Sequence, residues 1–469
     1  MGSHDFSNIV MRVQIENPDG SILPLWVDSY QKNYGGSEFP IALPVVQELS
    51  VELNLGYLPK ITAQCALNYH DMITFIESDA ILWGASQITV QFGYTMGNHA
   101  MISPPLAGLL TKPDIKIGAE STISLTGIGF KGHSLVRQGR SGIDFKDKTR
   151  SEIIESLGVQ PIDNIKTGVQ FDFDEVKKLG AGDPAYDGMF TTKVSLSPSW
   201  RADWHLIMRL CRDGHCWLFF DGNIAKIIPI NKRMIDPPKY LLALFPQPFQ
   251  SAKLHGVGPA AQIYPILEFN SPTTGVFYPA LVRGQVLKGV DSASGKGFQF
   301  IYNNKKDDTD SKGGKAPNVQ GSGLGTPEAG EVLSKGDDKT GSFFDPSFYD
   351  KEDKPIVERV QTDFLNTISQ RGIQIECLTI GIPEILPGET IALAGVSSRF
   401  CGTKDSPINY SIHNVIHTLG GGGFSTRVVA FTNSGWVRDQ ASIAGGKLGN
   451  KPHDEGAGDS NDKQPGSAT

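Results

Sequence analysis

The chain contains no run near the ~20 consecutive apolar residues that a membrane-crossing helix requires, so no membrane helix is expected. Cysteine is scarce. The five (Cys65, Cys211, Cys216, Cys377 and Cys401) are odd in number and widely scattered, which excludes a disulfide framework and fits buried thiols folded in a reducing cytosol. Met1 to Phe6 lack a basic run followed by an apolar one, so no signal peptide is expected. Positive charge is in deficit, with 43 Lys and Arg against 50 Asp and Glu for a net charge of -7. A chain that grips nucleic acid is normally basic, so this one could surround DNA but not hold it. Catalytic signatures are missing too. No Gly-Lys-Ser/Thr closes the runs Gly142 to Lys148 or Gly420 to Gly423, so neither is a phosphate loop. No Gly-x-Ser-x-Gly elbow occurs, and no Glu follows His413 to make a metalloprotease motif.

What the chain has instead is turn-forming residues, 53 Gly and 29 Pro among 469 residues, 39% of them hydrophobic. That length implies more than one domain, and that composition favours turn-rich β structure over a helical bundle. Alternation with period two marks Leu49 to Leu55, Gln87 to Tyr94, Leu106 to Leu110 and Ser121 to Gly127 as strands. Asp71 to Ser78 reads as a short helix between them.

From about residue 132 the pattern changes. Lys148 to Leu157 reads as a helix, with Thr149 as N-cap, Glu152 closing a capping box and Gly158 ending it. Ser199 to Cys211 reads as a second helix, with Trp200, Trp204, Ile207, Met208 and Cys211 on one face. Asp213-Gly214 turns the chain into a hairpin, Cys216 to Phe220 with Asn223 to Ile230, closed by Asp221-Gly222. Strands are then expected at Ala261 to Phe269, Val276 to Val286 and Phe298 to Tyr302. Asn303 to Lys354 is a polar stretch that cannot bury enough surface to offset its ordering entropy. Pro355 to Arg371 is helical in pattern, with Ile356, Val360, Phe364 and Ile368 at spacing four. Ile385, Pro387-Gly388, Ile391 and Leu393 suggest a strand, a tight turn and a second strand. Tyr410 to His417 alternates as a strand, and Gly420 to Gly423 permit a reversal into Ser425 to Phe431. The residues from Gly445 onward have a disordered-type composition.

Several groups could carry chemistry, and each has a plainer reading. His205, Cys211, His215 and Cys216 are zinc-type donors, but their spacing is no standard knuckle and both cysteines sit on apolar faces, so the core is the expectation. His413 and His417 on a strand would share a face about 13 Å apart, too far for one metal. Glu384 and Glu389 flank a turn. Paired carboxylates can hydrolyse glycosides, yet solvated side chains are the expectation here. Lys305-Lys306 and Asp307-Asp308 read as a solvated loop, with a strap that binds partner proteins as the sharper alternative. Phe343, Phe344, Phe348 and Tyr349 read as a local core anchor that favours docking of the segment. No catalytic, cofactor-binding or metal-binding residue is assigned, and no cofactor is expected.

The order of elements resembles the baseplate hub proteins of contractile phage tails, the late-control, gene-D-like family. The resemblance rests on the Phe92-Gly93-Tyr94 strand end with the later strand Ile123 to Gly127, on the helix-turn-hairpin order over 148 to 230, and on the turns and strands from Ile373 to Phe431. It spans roughly residues 40 to 135, 148 to 230 and 373 to 431. It implies a mainly β chain with an α+β part: two tube-protein-like antiparallel β-barrels plus a small α/β domain. The expected division is 1–131 for the first barrel, 132–235 for the α/β domain, 236–302 and 355–437 for the second barrel, 303–354 for a polar insertion and 438–469 for a tail. It further implies a homotrimer forming a pseudo-six-fold ring in the virion baseplate, made in the host cytoplasm. Its partners would be the tail tube or tube-initiator protein, the central spike, the baseplate wedges and the tape measure protein. DNA would pass through the lumen without specific binding, and no membrane is involved. The alternatives are a tail-associated peptidoglycan hydrolase and the hub of a related contractile injection or type VI secretion system.

Overall fold

A computed structural model describes residues 9–25, 44–78, 81–82, 85–96, 99–111, 113–118, 121–129, 144–159, 169–180, 189–191, 193–196, 202–214, 216–229, 238–244, 262–271, 284–290, 297–303, 342–346, 374–401 and 408–432. The expected helix over Pro355 to Arg371, most of the polar 303–354 stretch and the 438–469 tail lie outside them, as do Met1 to Phe6.

The first section holds β1 (Ile9–Glu16), β2 (Ile22–Pro24), β3 (Val45–Asn54), β4 (Lys60–Leu67), α1 (Tyr69–Glu77), β5 (Gln87–Met96), β6 (His99–Ile102), β7 (Leu106–Leu110), β8 (Asp114–Lys116) and β9 (Ser121–Gly129). The middle holds β10 (Phe145–Thr149), α2 (Arg150–Val159), β11 (Gln170–Asp172), α3 (Asp174–Gly180), β12 (Lys193–Leu196), α4 (Asp203–Asp213), β13 (Cys216–Asp221) and β14 (Ile224–Pro229). There follow β15 (Tyr240–Leu244), β16 (Gln262–Asn270), β17 (Gly284–Val290), β18 (Gly297–Asn303), β19 (Ser342–Pro346), β20 (Gln374–Ile380), β21 (Thr390–Ala394), α5 (Ser398–Cys401), β22 (Asn409–Gly420) and β23 (Gly423–Thr432). The protein is mainly β.

The strands β1-β5-β7-β9-β4-β3 pair antiparallel in that order and curl round a shared core. Strict alternation drives this: Ile123 and Leu125 on β9, Ile61 and Ala63 on β4, and Val51 on β3 are all buried, and their neighbours on each strand face out. The two outer strands of the row are linked through Leu25. Its amide donates to the Val13 carbonyl at 2.9 Å, and its carbonyl accepts the Val46 amide at 3.0 Å.

The second barrel is closed by ladders alone, in the ring β22-β21-β15-β16-β20-β23 and back to β22. Its pairing departs from the antiparallel expectation at one strand, since β15 runs parallel to both β16 and β21. Parallel neighbours need a long crossover, and the connection from Leu244 to Gln262 supplies one. β15 itself was not expected from sequence. Its run Tyr-Leu-Leu-Ala-Leu is buried almost throughout and so lacks alternation. β17 and β18, expected in this barrel, instead form a separate sheet with β19. β19 comes from the stretch read as polar loop, where Phe343 and Phe344 have the strand propensity that their surroundings lack. The strand expected at Ile385 is also displaced. β20 ends at Ile380, and Gly381 to Glu389 form turns, with Gly388 at φ 83°.

One strand belongs to both barrels. Along one edge β22 pairs with β21 at Asn409 to Ser411 and with β3 at Asn414 to Leu419. A β-bulge between Ile412 and Asn414 separates the two stretches. The sequence reading puts Tyr410, Ile412, Asn414 and Ile416 on one face. The bulge breaks that phase: Tyr410 and Ile412 are buried, but so are Val415, His417 and Leu419, while Asn414 and Ile416 turn outward. The extra residue is held by its own backbone bonds, with the Leu55 amide donating to the His413 carbonyl at 2.9 Å and the Gly388 amide to the Ile412 carbonyl at 2.8 Å.

In the middle section, β11, β14 and β13 form a small sheet against α2, α3 and α4. The capping box forms as the sequence indicates: the Thr149 amide donates to Glu152 Oε2 at 2.8 Å, and the Glu152 amide to Thr149 Oγ1 at 3.3 Å. Such a cap is worth about 1 kcal/mol. Gly158 does not end the helix but lies inside it, where a Cβ would come within 2.5 Å of the Phe171 ring. The hairpin turn is Gly222-Asn223, one residue later than expected, with Asp221 paired to Ile224. This unit docks beside the shared strand. The Gly56 amide donates to the Leu218 carbonyl at 2.7 Å, Trp204 Nε1 to the Gly56 carbonyl at 3.0 Å, and the Ala107 amide to Asn223 Oδ1 at 2.9 Å.

Deleting His413 should remove the bulge and turn Val415, His417 and Leu419 toward solvent. Circular dichroism melts should show loss of cooperative unfolding for the deletion, whereas His413→Ala should keep a cooperative transition at lower temperature.

Candidate functional site: the strand shared by two barrels

β3 and β22 join the two barrels, and buried side chains pack under that joint. His417 lies opposite Val51 in the ladder and is fully buried. Its ring sits 4.7 Å from Phe92 of β5 and 5.9 Å from Phe424 of β23, and Tyr94 is 5.2 Å from Phe424. Nδ1 lies 3.1 Å from Thr426 Oγ1, while Nε2 meets no partner among the described residues. Burial among aromatic rings pushes the imidazole down to about 3, so it is neutral at ordinary pH. His413 and His417 do not share a face, because His413 is itself the extra residue of the bulge. His413 turns the other way, its ring 5.5 Å from Trp217 and 4.6 Å from Phe431.

Glu384 and Glu389 are not solvated as expected. They belong to a polar cluster in the turn after β20. Glu389 Oε1 pairs with Lys239 Nζ at 2.6 Å, and its Oε2 accepts the Leu386 amide at 3.0 Å. The Tyr264 hydroxyl donates to Glu384 Oε1 at 2.9 Å, and the Tyr240 hydroxyl to the Glu384 carbonyl at 3.3 Å. Burial first, then the nearby carboxylates, push both phenols well above the usual tyrosine range. Glu384, through its carboxylate and its carbonyl, pins the Gly381–Glu389 turn to β16 and β15, and Glu389 pins it to Lys239 just before β15. The signal that could have found this is the spacing of Lys239, Tyr240 and Tyr264, polar groups within apolar strands.

Cys211 and Cys216 lie in the core of the middle unit. Cys216 Sγ donates to the Gly214 carbonyl at 3.1 Å, and burial pushes its thiol up. His205 is exposed on α4, and His215 is outside the described residues. Among the described residues, no three His, Cys, Asp or Glu side chains gather as metal ligands would. Phe343 and Phe344 lie on β19, while Phe348, Tyr349 and the Lys305–Asp308 run are outside the described residues. No helix among the described residues is long and apolar enough to cross a membrane.

No family profile and no curated protein matches this chain. Among solved structures it is similar to the 43 kDa tail protein of prophage MuSo2 from Shewanella oneidensis, at 10% identity and a TM-score of 0.49 over 89% of this chain and 98% of that one. It is similar to the tail protein from Neisseria meningitidis at 10% identity and a TM-score of 0.46, over 92% of this chain and 99% of that one. A third is the E. coli c3393 protein, a component of the type VI secretion system, at 8% identity and a TM-score of 0.42, over 84% of this chain and 75% of that one.

The depressed imidazole fixes a pH dependence. Unfolded, the ring takes a proton below about 6.5; folded, it stays neutral down to about 3. Its contribution is therefore complete above pH 6.5 and is lost progressively as pH falls toward 3, by up to ~1.4 kcal/mol per pH unit. Calorimetric melting temperatures should fall more steeply between pH 6.5 and 4 for the parent chain than for His417→Gln, and parallel curves would contradict this.

Proposed function

We propose that the chain is a structural component of a contractile tail, the trimeric hub at the centre of its baseplate. The observation that carries this reading is the sharing of β22, which joins two β-barrels through one continuous sheet and one hydrophobic core. Three such bodies in a ring present six barrels, and so offer pseudo-six-fold symmetry on one side and three-fold symmetry on the other. That geometry suits a part that joins a six-fold tail tube, or its initiator, to a three-fold spike while leaving a passage for DNA. The proposed division keeps 1–131 as one tube-like unit, 132–235 as the α/β unit, 236–302 and 355–437 as the stretches that contribute the other, 303–354 as an insertion and 438–469 as a tail, except that β17 and β18 leave the second barrel to pair with β19 of the insertion. Wedge proteins and the tape measure protein are the further partners, and the assembled virion is the site of action.

A hub of a type VI or other contractile injection system shares this plan and differs in what passes through the ring. The hydrolase alternative loses its best residues, because Glu384 and Glu389 are held by Tyr264, Lys239 and the Leu386 amide. Paired glycosidase carboxylates must face a substrate across a gap.

Light scattering of the purified chain, alone and mixed with a candidate spike protein, tests the reading. A trimer, or a trimer formed on adding spike, is the expected result. A monomer indifferent to spike, with peptidoglycan-hydrolysing activity that Glu384→Gln abolishes, would replace the hub by the enzyme.

A further inference from the structure

The reversal between β22 and β23 is made of four glycines, and the fold accounts for two of them. Gly420 pairs with Gly423, so Gly421 and Gly422 form the two-residue tip. Gly423 sits at φ 106°, a conformation that side chains disfavour. A Cβ on Gly420 would come 3.2 Å from the Gln47 carbonyl oxygen. Gly421 and Gly422 have neither reason. Neither lies in the left-handed region, both are exposed, and a Cβ on either would meet nothing within 4 Å. Glycine at such positions adds freedom to the unfolded chain and so lowers the stability of the folded one. What a bare backbone does offer is close approach by another chain.

The tip borders a groove of about 310 Å³, walled by Gln47 and Glu48 of β3, Gln64 of β4, Thr418 of β22 and Ser425 of β23. A β-bulge between Val46 and Glu48 leaves both Gln47 and Glu48 exposed, with Glu48 opposite Gln64. The lining selects by chemistry. It holds no lysine or arginine, so it has nothing to attract phosphate or another anion. It holds no apolar or aromatic side chain, so neither an apolar ligand nor the flat face of a sugar ring has a surface to rest on. Its two amides and two hydroxyls each donate and accept, which matches the alternating groups of a peptide backbone. Glu48 adds one carboxylate with no cation in the groove to pair it, a partner for an incoming ammonium or guanidinium.

We propose that this groove seats an extended segment of a partner protein, its backbone lying across Gly421 and Gly422 and a lysine or arginine reaching Glu48. This goes beyond the hub reading and needs no trimer to hold.

Two experiments on the full-length chain test it. Gly421→Ala combined with Gly422→Ala should leave the melting temperature unchanged or higher, because the chain itself gains nothing from those glycines. A lower melting temperature would reveal an internal need for them and overturn the proposal. Binding is read by saturation-transfer NMR on the blocked peptide acetyl-Thr-Thr-Lys-Thr-Thr-amide, with the same peptide carrying Glu in place of Lys as control. The lysine peptide should bind with a dissociation constant of about 1 mM, the affinity of so small a contact. Glu48→Gln should weaken it about threefold, the share that an exposed ion pair carries. Gly421→Gln with Gly422→Gln should abolish it. No saturable binding of the lysine peptide, equal binding of the glutamate peptide, or binding untouched by these substitutions overturns the proposal. So does a change in native mass on light scattering for the Gly421→Gln, Gly422→Gln variant, which would make the occupant a second copy of this chain.

Discussion

The structure depends on one edge of one strand. β22 offers its backbone first to β21 and then to β3, so a single run of twelve residues completes one barrel and braces the other. Ladder hydrogen bonds are modest individually, near 1 kcal/mol net, but here they are backed by burial on the inner side along the whole length. The bulge makes this arrangement workable. Without it the strand could present its apolar side to one core only, because a strand's faces alternate with strict period two. With it, Tyr410 and Ile412 serve the second barrel while Val415, His417 and Leu419 serve the first. The aromatic group of Phe92, Tyr94, His417 and Phe424 then merges the two cores into one.

The remaining contacts arrange themselves round that joint. The α/β unit fastens to Gly56, just past the end of β3, through Leu218 and Trp204. Gly388 sits against Ile228 and Phe219, where a Cβ would come within 2.8 Å of the Ile228 side chain. Both contacts involve a glycine at positive φ, which accepts the turn and the close approach together. The residues that might suggest hydrolysis serve the same end: the turn that carries Gly388 is tied to Tyr264 of β16 by the Glu384 carboxylate, to Tyr240 of β15 by the Glu384 carbonyl, and to Lys239 by the Glu389 carboxylate.

Much of this was legible in the sequence where local chemistry decides the structure. The capping box at Thr149 and Glu152, the alternation of β5 and β9, and the glycine reversal between β22 and β23 depend on near neighbours, and the pattern shows them directly. What the sequence hid was decided by distant partners. β15 has no alternation because both its sides are covered, Leu241 and Ala243 against Ala392 and Ala394, Tyr240 and Leu242 against the core. The bulge leaves no composition signature, so the two histidines looked like face-mates. Glu384 and Glu389 looked solvated because Lys239 and Tyr264 are more than a hundred residues away in the chain.

The β3–β22 pairing also sets an order in time. Asn54 and Asn414 are neighbours in the ladder but 360 residues apart in sequence. A ribosome makes the strands of the first barrel long before it makes the hairpin that braces them, at roughly 5–20 residues per second. For that interval β3 carries a bare edge next to an apolar core, the kind of surface that recruits foreign strands. Loop closure over such a span is slow, and nothing local speeds it. Yield in the producing cell should thus be governed by how well that waiting edge is shielded during synthesis, by a chaperone for example, more than by the stability of the finished molecule.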